Sequence, residues 1–282
     1  MTQSGLADLH VHTTCSDGSR SVRQVMEQAF YTGIRCIAIT DHDTMAGVAE
    51  ASELGKSMGI RVIPGAELST RDEKSNRSVH MLCYLPRDPE KLKRFMDRTL
   101  ESRRKQKQAM IENLSEQYPF LTKELVLEYA KNSESIYECH IMQPLCDLGY
   151  TSTAIGSLMS SLISSKGSCY VPSDYPTTEE ATEAIKEAGG LAVVAHAEQF
   201  DSFDLVERYA KKGLIRGVEV YHPRNSEMSR ERLLKIAKEY HLFVTGGSDF
   251  HGQYAKNPHP LGTCGCTVSE VQRMLEVSDN FK

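Results

Sequence analysis

The feature that most constrains the fold is the segment 8–19, which reads Asp-Leu-His-Val-His-Thr-Thr-Cys-Ser-Asp-Gly-Ser. Apolar residues around its first half predict a short buried strand over residues 6–11. Side chains two positions apart in a strand share one face, so His10 and His12 would lie side by side. Asp17 adds a carboxylate just beyond the strand. This combination favours a transition-metal site over the alternative, core histidines satisfied by hydrogen bonds.

Short apolar segments and helical patterns then alternate along the chain, and most predicted strands are followed by a helix. The strand candidates are residues 6–11, 34–40, 60–63, 79–85, 191–195, 217–221 and 242–245. This alternation predicts an α/β fold with a mainly parallel sheet. Polar residues recur at the carboxyl ends of these strands, which favours a (β/α) barrel over an open sheet. The length of 282 residues suits such a barrel.

The alternation is interrupted between residues 88 and 168, where helical patterns are found without a strand pattern. We therefore predict an all-helical insertion at 88–168 that covers the active site, and a discontinuous barrel of residues 1–87 and 169–282. The first helical pattern, 89–117, is rich in basic residues, which we interpret as a solvated helix face. Strand–helix alternation is expected to resume at Tyr170-Val171-Pro172.

Composition excludes several classes of function. The net charge of −5 does not favour broad binding to nucleic acid or acidic lipid. Apolar runs are too short to span a bilayer, and no secretion signal is recognisable, so a cytoplasmic location is expected. The eight cysteines are then expected to be free thiols. Cys264 and Cys266 are expected in a turn or edge strand, with a soft-metal site as the weaker alternative.

The polar groups at the strand ends form a set of imidazoles and carboxylates. The set comprises His10, His12, Asp17, Asp41, His42, Glu67, His80, His196, Glu219, Asp249 and His251. Buried groups of this kind are costly unless they are paired or bound to metal. Imidazole with carboxylate, and without thiolate, points to manganese, zinc or iron. The set exceeds the needs of one ion, so two or three divalent ions are expected, an arrangement suited to hydrolysis at phosphorus.

These motifs resemble the PHP (polymerase and histidinol phosphatase) family of metal-dependent phosphoesterases. The resemblance covers both ends of the chain, on either side of the helical insertion. The matching stretches are the segment 8–19, Thr40-Asp-His-Asp-Thr, Pro64-Gly-Ala-Glu, Val79-His, Ala195-His, Val218-Glu-Val and Gly247-Ser-Asp-Phe-His-Gly. The resemblance implies the PHP fold, a distorted seven-stranded TIM-like barrel.

The resemblance also implies three groups of metal ligands. They are His10, His12, Glu67 and Asp249 for one ion, Glu67 again with His80 and His196 for a second, and Asp17, His42 and His251 for a third. Some relatives have a histidine in place of Asp17, and an aspartate there resembles the branch that acts on small nucleotides and sugar phosphates. Asp41 and Asp43 are expected to orient His42 or cap the next helix, and Glu219 to support the ligands rather than bind metal.

In the implied mechanism, a hydroxide bridging two ions attacks phosphorus. The residues expected to take part in catalysis are Glu67, Asp249 and His222, and the leaving-group proton comes from His222 or a metal-bound water. The expected substrate contacts are Arg224, His140, Lys166 and Glu138. In relatives the histidine at position 140 commonly follows Arg-Pro, whereas Glu138-Cys139 precedes it here. A guanidinium is therefore missing, so a cyclic sugar phosphate is a serious candidate beside nucleotides.

The function predicted from the sequence is thus hydrolysis of small phosphate esters, including ribose 1,2-cyclic phosphate cleaved as diester and then as monoester. The alternatives are a 5′-end exoribonuclease, a 3′,5′-bisphosphonucleotide phosphatase, a metal-dependent amide or lactone hydrolase, and a non-catalytic PHP-type metal-binding module. A small phosphorylated substrate is the expected partner, with no membrane and no stable nucleic-acid partner. The sequence makes no prediction of oligomeric state.

Overall fold

One eight-stranded sheet organises the chain in the computed structural model, which describes residues 6–279. The predicted outer limits of the barrel, residues 1 and 282, lie outside the described residues. The strands are β1 (Leu6–Val11), β2 (Cys36–Ile39), β3 (Arg61–Arg71), β4 (Ser78–Tyr84), β5 (Leu191–Val194), β6 (Gly217–Tyr221), β7 (Phe243–Gly246) and β8 (Cys266–Thr267). Their order in the sheet is β7-β6-β5-β4-β3-β2-β1-β8.

Helices separate most of these strands in the sequence. They are α1 (Val22–Thr32), α2 (Val48–Met58), α3 (Glu90–Ser115), α4 (Lys123–Tyr129), α5 (Glu138–Asp147), α6 (Ser157–Leu162), α7 (Thr178–Glu187), α8 (Phe203–Lys211), α9 (Glu227–Glu239) and α10 (Val268–Asp279). Between residues 6 and 279, no helix combines the length and apolar character needed to cross a membrane.

The sheet curls into a nearly closed barrel, as predicted. Strands β1–β2–β3 and β5–β6–β7 run parallel, while β4 is antiparallel to both β3 and β5. Beyond β7 the chain meets β1: the Asp249 N–H donates to the His10 carbonyl at 2.9 Å, and the His12 N–H donates to the Phe250 carbonyl at 2.9 Å. This closure brings the histidine motif of β1 next to the Gly-Ser-Asp-Phe-His motif that follows β7.

Gly247 makes this closure sterically possible. A Cβ at Gly247 would lie 2.4 Å from the Cβ of His10, closer than two such atoms approach. Only glycine lets the backbone after β7 come so near to β1. The glycine of the Gly-Ser-Asp segment therefore sets the distance between His10 and Asp249.

Three details of the sheet differ from the prediction. Strand β3 continues through Pro64 to Arg71 and forms an antiparallel hairpin with β4, because the Pro64 carbonyl still accepts from the Leu85 N–H at 2.8 Å. The eighth strand, β8, pairs with β1 and carries the buried Cys266, as expected of an edge strand. Residues 170–172 are not part of a strand.

The segment predicted as an insertion is helical and has its own apolar cluster. That cluster includes Met110, Ile111, Leu114, Leu121, Val126, Ile141, Met142, Leu145, Ala154, Leu162 and Ile163. The interpretation of the basic helix as a solvated face is wrong at two positions. Arg103 and Lys107 of α3 are 6% and 1% exposed, whereas Arg104 and Lys105 face solvent. All eight cysteines are free thiols.

Candidate metal centre

Glu67 lies between two sets of imidazoles at the carboxyl-end mouth of the barrel. Its Oε1 is 2.8 Å from His196 Nε2 and 3.0 Å from His80 Nδ1. Its Oε2 is 3.1 Å from both His10 Nε2 and His12 Nε2, and 3.3 Å from His42 Nδ1. Each oxygen of the Glu67 carboxylate therefore faces a different set of imidazoles, as expected for a ligand that bridges two ions.

Asp249 completes the group around His10 and His12. Its Oδ1 is 3.5 Å from His10 Nε2 and 3.3 Å from His12 Nε2, and its Oδ2 is 3.3 Å from His222 Nε2. Ligand atoms of His10, His12, Glu67 and Asp249 all lie within 4.8 Å of one another. This spacing allows them to contact a single ion.

Asp17 is the centre of another group of potential metal ligands, on the other side of His12. Its Oδ2 is 3.3 Å from His251 Nε2 and 3.8 Å from His42 Nε2. Together with His12, these side chains again offer atoms within 4.8 Å of one another. His42 also belongs to a group with Glu67 and His80, so the same imidazole borders two of the groups. The fold thus brings all nine sequence-predicted ligands to one mouth.

Orphaned nitrogen atoms indicate what this mouth can hold. The buried His10 Nε2, His12 Nε2 and His42 Nδ1 make no hydrogen bond within the described chain, although all three face Glu67 Oε2. Buried polar atoms are rarely left without partners. Divalent cations would satisfy these nitrogens and the facing carboxylate together, so the donor set fits the metal ions expected from the sequence.

Charges at the mouth support the same interpretation. Burial raises the pKa of Glu67, but the surrounding histidines, His10 foremost, bring the pKa well below its ordinary value. Burial likewise raises the pKa of Asp249, and His251 and His10 lower it well below the ordinary range. Both carboxylates are therefore ionised at neutral pH and offer negative charge to a cation.

Glu219 positions the ring of His10 and the backbone of His196. Its carboxylate accepts from His10 Nδ1 at 2.8 Å and from the His196 backbone N–H at 2.8 Å. The bond to Nδ1 leaves His10 Nε2 directed at Glu67 and Asp249. Carboxylates in this position orient histidine ligands and raise their basicity.

The sequence predicted that Asp41 and Asp43 orient His42 or cap α2, but their hydrogen bonds go to other partners and α2 has no side-chain cap. Asp41 accepts from the Thr13 N–H at 2.7 Å and from Ser16 Oγ at 2.6 Å, so it fixes the turn between His12 and Asp17. Asp43 accepts from the Ser69 N–H at 2.8 Å and from Arg103 at 2.7 Å. The difference arises because all four partners lie at least 25 residues away in the sequence and reach these carboxylates only through the fold.

Asp8 is a supporting residue that sequence reasoning missed. Its buried carboxylate accepts from the Ser248 N–H at 2.9 Å, from Ser248 Oγ at 2.6 Å and from the Gly262 N–H at 2.7 Å. It therefore ties β1 to the loop that carries Asp249. A charged residue inside a strand predicted to be buried was the signal that could have found it.

A cavity of about 1010 Å³ opens from the metal-ligand mouth towards the helical segment. Of the predicted substrate contacts and catalytic groups, five line it: Glu67, Glu138, His222, Arg224 and Asp249. Lining residues that the sequence did not predict include Gln199, Phe200, Tyr254, Lys256 and His259. Lys256 could have been noticed as a cation five residues after the predicted ligand His251.

His140 and Lys166, the other two predicted substrate contacts, lie outside the lining of this cavity, so the cavity gives their predicted role no support. Neither is among the described residues that line the cavity. His140 is buried at the start of α5, where its Nδ1 accepts from the Tyr137 N–H at 3.2 Å. Burial lowers the pKa of His140 to about 4, so it is neutral at physiological pH. Lys166 is exposed to solvent.

His222 has a defined tautomer at the cavity wall. Its Nδ1 accepts from the Arg224 backbone N–H at 3.1 Å, so in the neutral ring the proton is on Nε2. That nitrogen is 3.3 Å from Asp249 Oδ2 and has no hydrogen-bond partner among the described residues. His222 can therefore hold a proton next to the carboxylate of Asp249.

Comparison with known proteins gives consistent matches over most of the chain. Residues 8–187 match the PHP domain family. The phosphoribosyl 1,2-cyclic phosphate 1,2-diphosphodiesterase of Eggerthella lenta is 37% identical over 255 residues, which cover 90% of this chain and 97% of that protein. The 5′-3′ exoribonuclease Rnm of Salmonella typhimurium is 29% identical, over 86% of this chain and 84% of that protein.

A solved structure has the same fold. A Bifidobacterium adolescentis protein classed as a metal-dependent phosphoesterase superposes with a TM-score of 0.87 at 33% sequence identity. The superposition covers 96% of each chain. The likeness therefore includes the barrel and the helical segment together.

Proposed function

Since this chain belongs to the PHP family of metal-dependent phosphoesterases, we propose that it hydrolyses a cyclic phosphate on a phosphorylated ribose, first as diester and then as monoester. The observation that carries the proposal is Glu67, with imidazoles facing both of its oxygens at the floor of the cavity. The relative from Eggerthella lenta, named for such a cyclic phosphate, supports this choice of substrate.

The size of the cavity favours a small substrate. Pockets for small molecules commonly have volumes of about 300–1,000 Å³, and this one is about 1010 Å³. Arg224 and Lys256 line it and can neutralise phosphate oxygens. Phe200 and Tyr254 provide apolar wall for the rest of the substrate. A phosphorylated sugar matches this mixture of cationic and aromatic lining.

We propose two or three divalent ions, manganese, zinc or iron, as the cofactors. Two groups of potential ligands support more than one ion, because they have only His12 in common. The first group is His10, His12, Glu67 and Asp249, and the second is His12, Asp17, His42 and His251. Bound ions of this kind lower the pKa of a water molecule towards about 7 and offset negative charge on phosphate oxygens.

The chain's own residues would divide the remaining work. Glu67 and Asp249, together with the neighbouring imidazoles, would bind the cations at the floor of the cavity. His222 carries its proton on Nε2 and can donate a hydrogen bond from it to an oxygen of the bound phosphate. Glu219 and Asp8 keep β1 and the Asp249 loop in position.

Phosphate release by the manganese-loaded protein tests this proposal. The panel contains ribose cyclic phosphates, nucleoside monophosphates, 3′,5′-bisphosphonucleotides and short RNA with a 5′ phosphate. We expect the cyclic ribose phosphates to have the highest kcat/KM, and we expect His10→Ala to lose bound metal and nearly all turnover.

Three outcomes would contradict the proposal in different ways. Preference for the RNA would favour the exoribonuclease alternative. Hydrolysis of amides or lactones without phosphate release would favour the amide or lactone hydrolase alternative. Metal binding without activity on any ester would favour the alternative that the protein is a non-catalytic metal-binding module.

A further inference from the structure

Lys107 is a buried cation within the helical segment. Its side chain is 1% exposed, and its Nζ is 2.5 Å from Glu138 Oε1. Burial lowers the pKa of Lys107, while Glu138 acts in the opposite direction. Burying an ammonium group is costly unless a partner charge compensates it. The contact with Glu138 provides that compensation.

Glu138, in contrast, is not enclosed. Its side chain is 38% exposed, and it lines the cavity above the metal-ligand mouth. The next residue, Cys139, has its Sγ 3.7 Å from the Asp17 carbonyl oxygen, which places this part of α5 beside the Asp17 group. Burial raises the pKa of Glu138, yet Lys107 brings it below the ordinary value. A fixed carboxylate therefore faces the space where a substrate would lie.

We propose that Glu138, held in place by Lys107, is a hydroxyl-binding residue that selects sugar substrates. A carboxylate oxygen accepts hydrogen bonds, and the free ring hydroxyls of a phosphorylated ribose are donors. Lys107 is the positioning residue, because its contact with Oε1 restrains the rotation of Glu138. The inference rests on the proposed function and adds the group that recognises the part of the substrate that is not phosphate.

The positively charged side chains of the cavity come from a different part of the fold than Glu138. Arg224 follows β6 and Lys256 follows β7, whereas Glu138 belongs to α5. Glu138 is therefore an acceptor contributed by the helical segment, while the loops of the barrel contribute donors for phosphate. A purely structural ion pair would not need its carboxylate to be exposed to the cavity.

Calorimetry on the manganese-loaded protein can measure this recognition. Adenosine 5′-monophosphate and its 2′,3′-dideoxy analogue differ only in the two ribose hydroxyls. A hydrogen bond to a charged group contributes about 1.5–3 kcal/mol, so we expect the ribose form to bind about tenfold more tightly. In K107M/E138Q this preference should fall to about twofold or less.

The double variant removes both charges together, which avoids leaving a buried lysine without its partner. The single variant K107M keeps the Glu138 carboxylate but removes the lysine that holds it in place. We expect its preference for the ribose nucleotide to be intermediate and its metal content to be unchanged. E134Q is the matched control, because Glu134 lies on the same segment but is exposed and does not line the cavity. It should retain the full preference.

Equal affinity of the wild type for the two nucleotides would overturn the inference, as would a tenfold preference that persists in K107M/E138Q. Either result leaves the proposed function standing if the protein still releases phosphate from cyclic ribose esters. Loss of that activity in the wild type would instead overturn the proposed function and this inference with it.

Discussion

At the scale of single residues, the mouth of the barrel depends on carboxylates that touch imidazoles rather than on isolated ligands. Glu219 shows this most directly, because it is fully buried and accepts from the His10 ring at Nδ1, while its other oxygen accepts from the His196 backbone N–H. Its effect on metal binding is therefore exerted through His10 and His196.

We expect Glu219→Gln to weaken metal binding by about 10–100-fold, the usual cost of losing a carboxylate behind a histidine ligand. Metal content after dialysis, measured by mass spectrometry, would show the loss. Glu227→Gln, at the exposed start of α9, is the control and should keep wild-type metal content. An unchanged metal affinity in Glu219→Gln would show that the hydrogen bond from His10 to Glu219 does not contribute to metal binding.

At the scale of elements, α3 and α5 are fastened to the loop after β2. Arg103 Nη2 donates to Asp43 Oδ2 and to Ser69 Oγ, both at 2.7 Å. Tyr137 donates its hydroxyl to the His42 carbonyl at 2.9 Å, and its ring lies 4.5 Å from the Arg103 guanidinium. The helical segment thus holds the backbone of a candidate metal ligand.

We expect Arg103→Met to destabilise the protein by about 3–5 kcal/mol, because it leaves the buried Asp43 without its partner charge. Denaturant unfolding would measure this change. Combining it with Asp43→Asn should recover much of the loss, since both charges are then absent. A single variant as stable as the wild type would show that this fastening is dispensable.

A second ion pair joins the loop after β3 to α8. Asp72 Oδ1 accepts from Arg208 Nη2 at 2.6 Å, and Asp72 Oδ2 accepts from Ser75 Oγ at 2.5 Å. Burial raises the pKa of Asp72, but Ser75 and Arg208 lower it below the ordinary value of 3.8. A lowered pKa in the folded state adds stability above pH 3.8 that is lost as pH falls through the folded-state pKa.

Asp72→Asn should therefore cost about 1–3 kcal/mol at pH 7, the usual contribution of hydrogen bonds to a charged group. The difference in unfolding free energy between wild type and variant should shrink as pH falls below 3.8. Because the comparison is between two proteins at each pH, acid release of metal affects both alike. A constant difference at all pH values would contradict the assignment.

At the scale of the whole molecule, the candidate ligands connect parts of the barrel that are distant in sequence. His10 belongs to β1, Glu67 to β3 and His80 to β4, while Asp249 follows β7. Ions at this mouth would therefore bind the folded chain and not the unfolded one. Such binding stabilises by mass action.

We expect chelation to lower the thermal unfolding midpoint by about 5–10 °C, since ions at about 100 times their dissociation constant add about 2.7 kcal/mol. Calorimetry before and after dialysis against a chelator would measure the shift, and added manganese should reverse it. An unchanged midpoint with proven loss of metal would mean that the ions contribute little to the fold.

The sequence by itself determined the barrel and the gathering of its strand-end histidines and carboxylates. Apolar periodicity marks the strands, and the carboxyl ends of barrel strands meet at one mouth whatever joins them. His10 and Asp249 could thus be expected to meet although almost the whole chain separates them. The prediction of seven strands was close, because only the two-residue β8 was missed.

The tertiary structure alone decided which polar side chains face the cavity. His140 is turned to its own helix start, Lys166 to solvent, and Lys107 to Glu138. The long hairpin of β3 and β4 was equally hidden in the sequence. The reason is physical: periodicity fixes the buried face of an element, whereas the partner of an individual polar group depends on how distant helices and loops pack against one another.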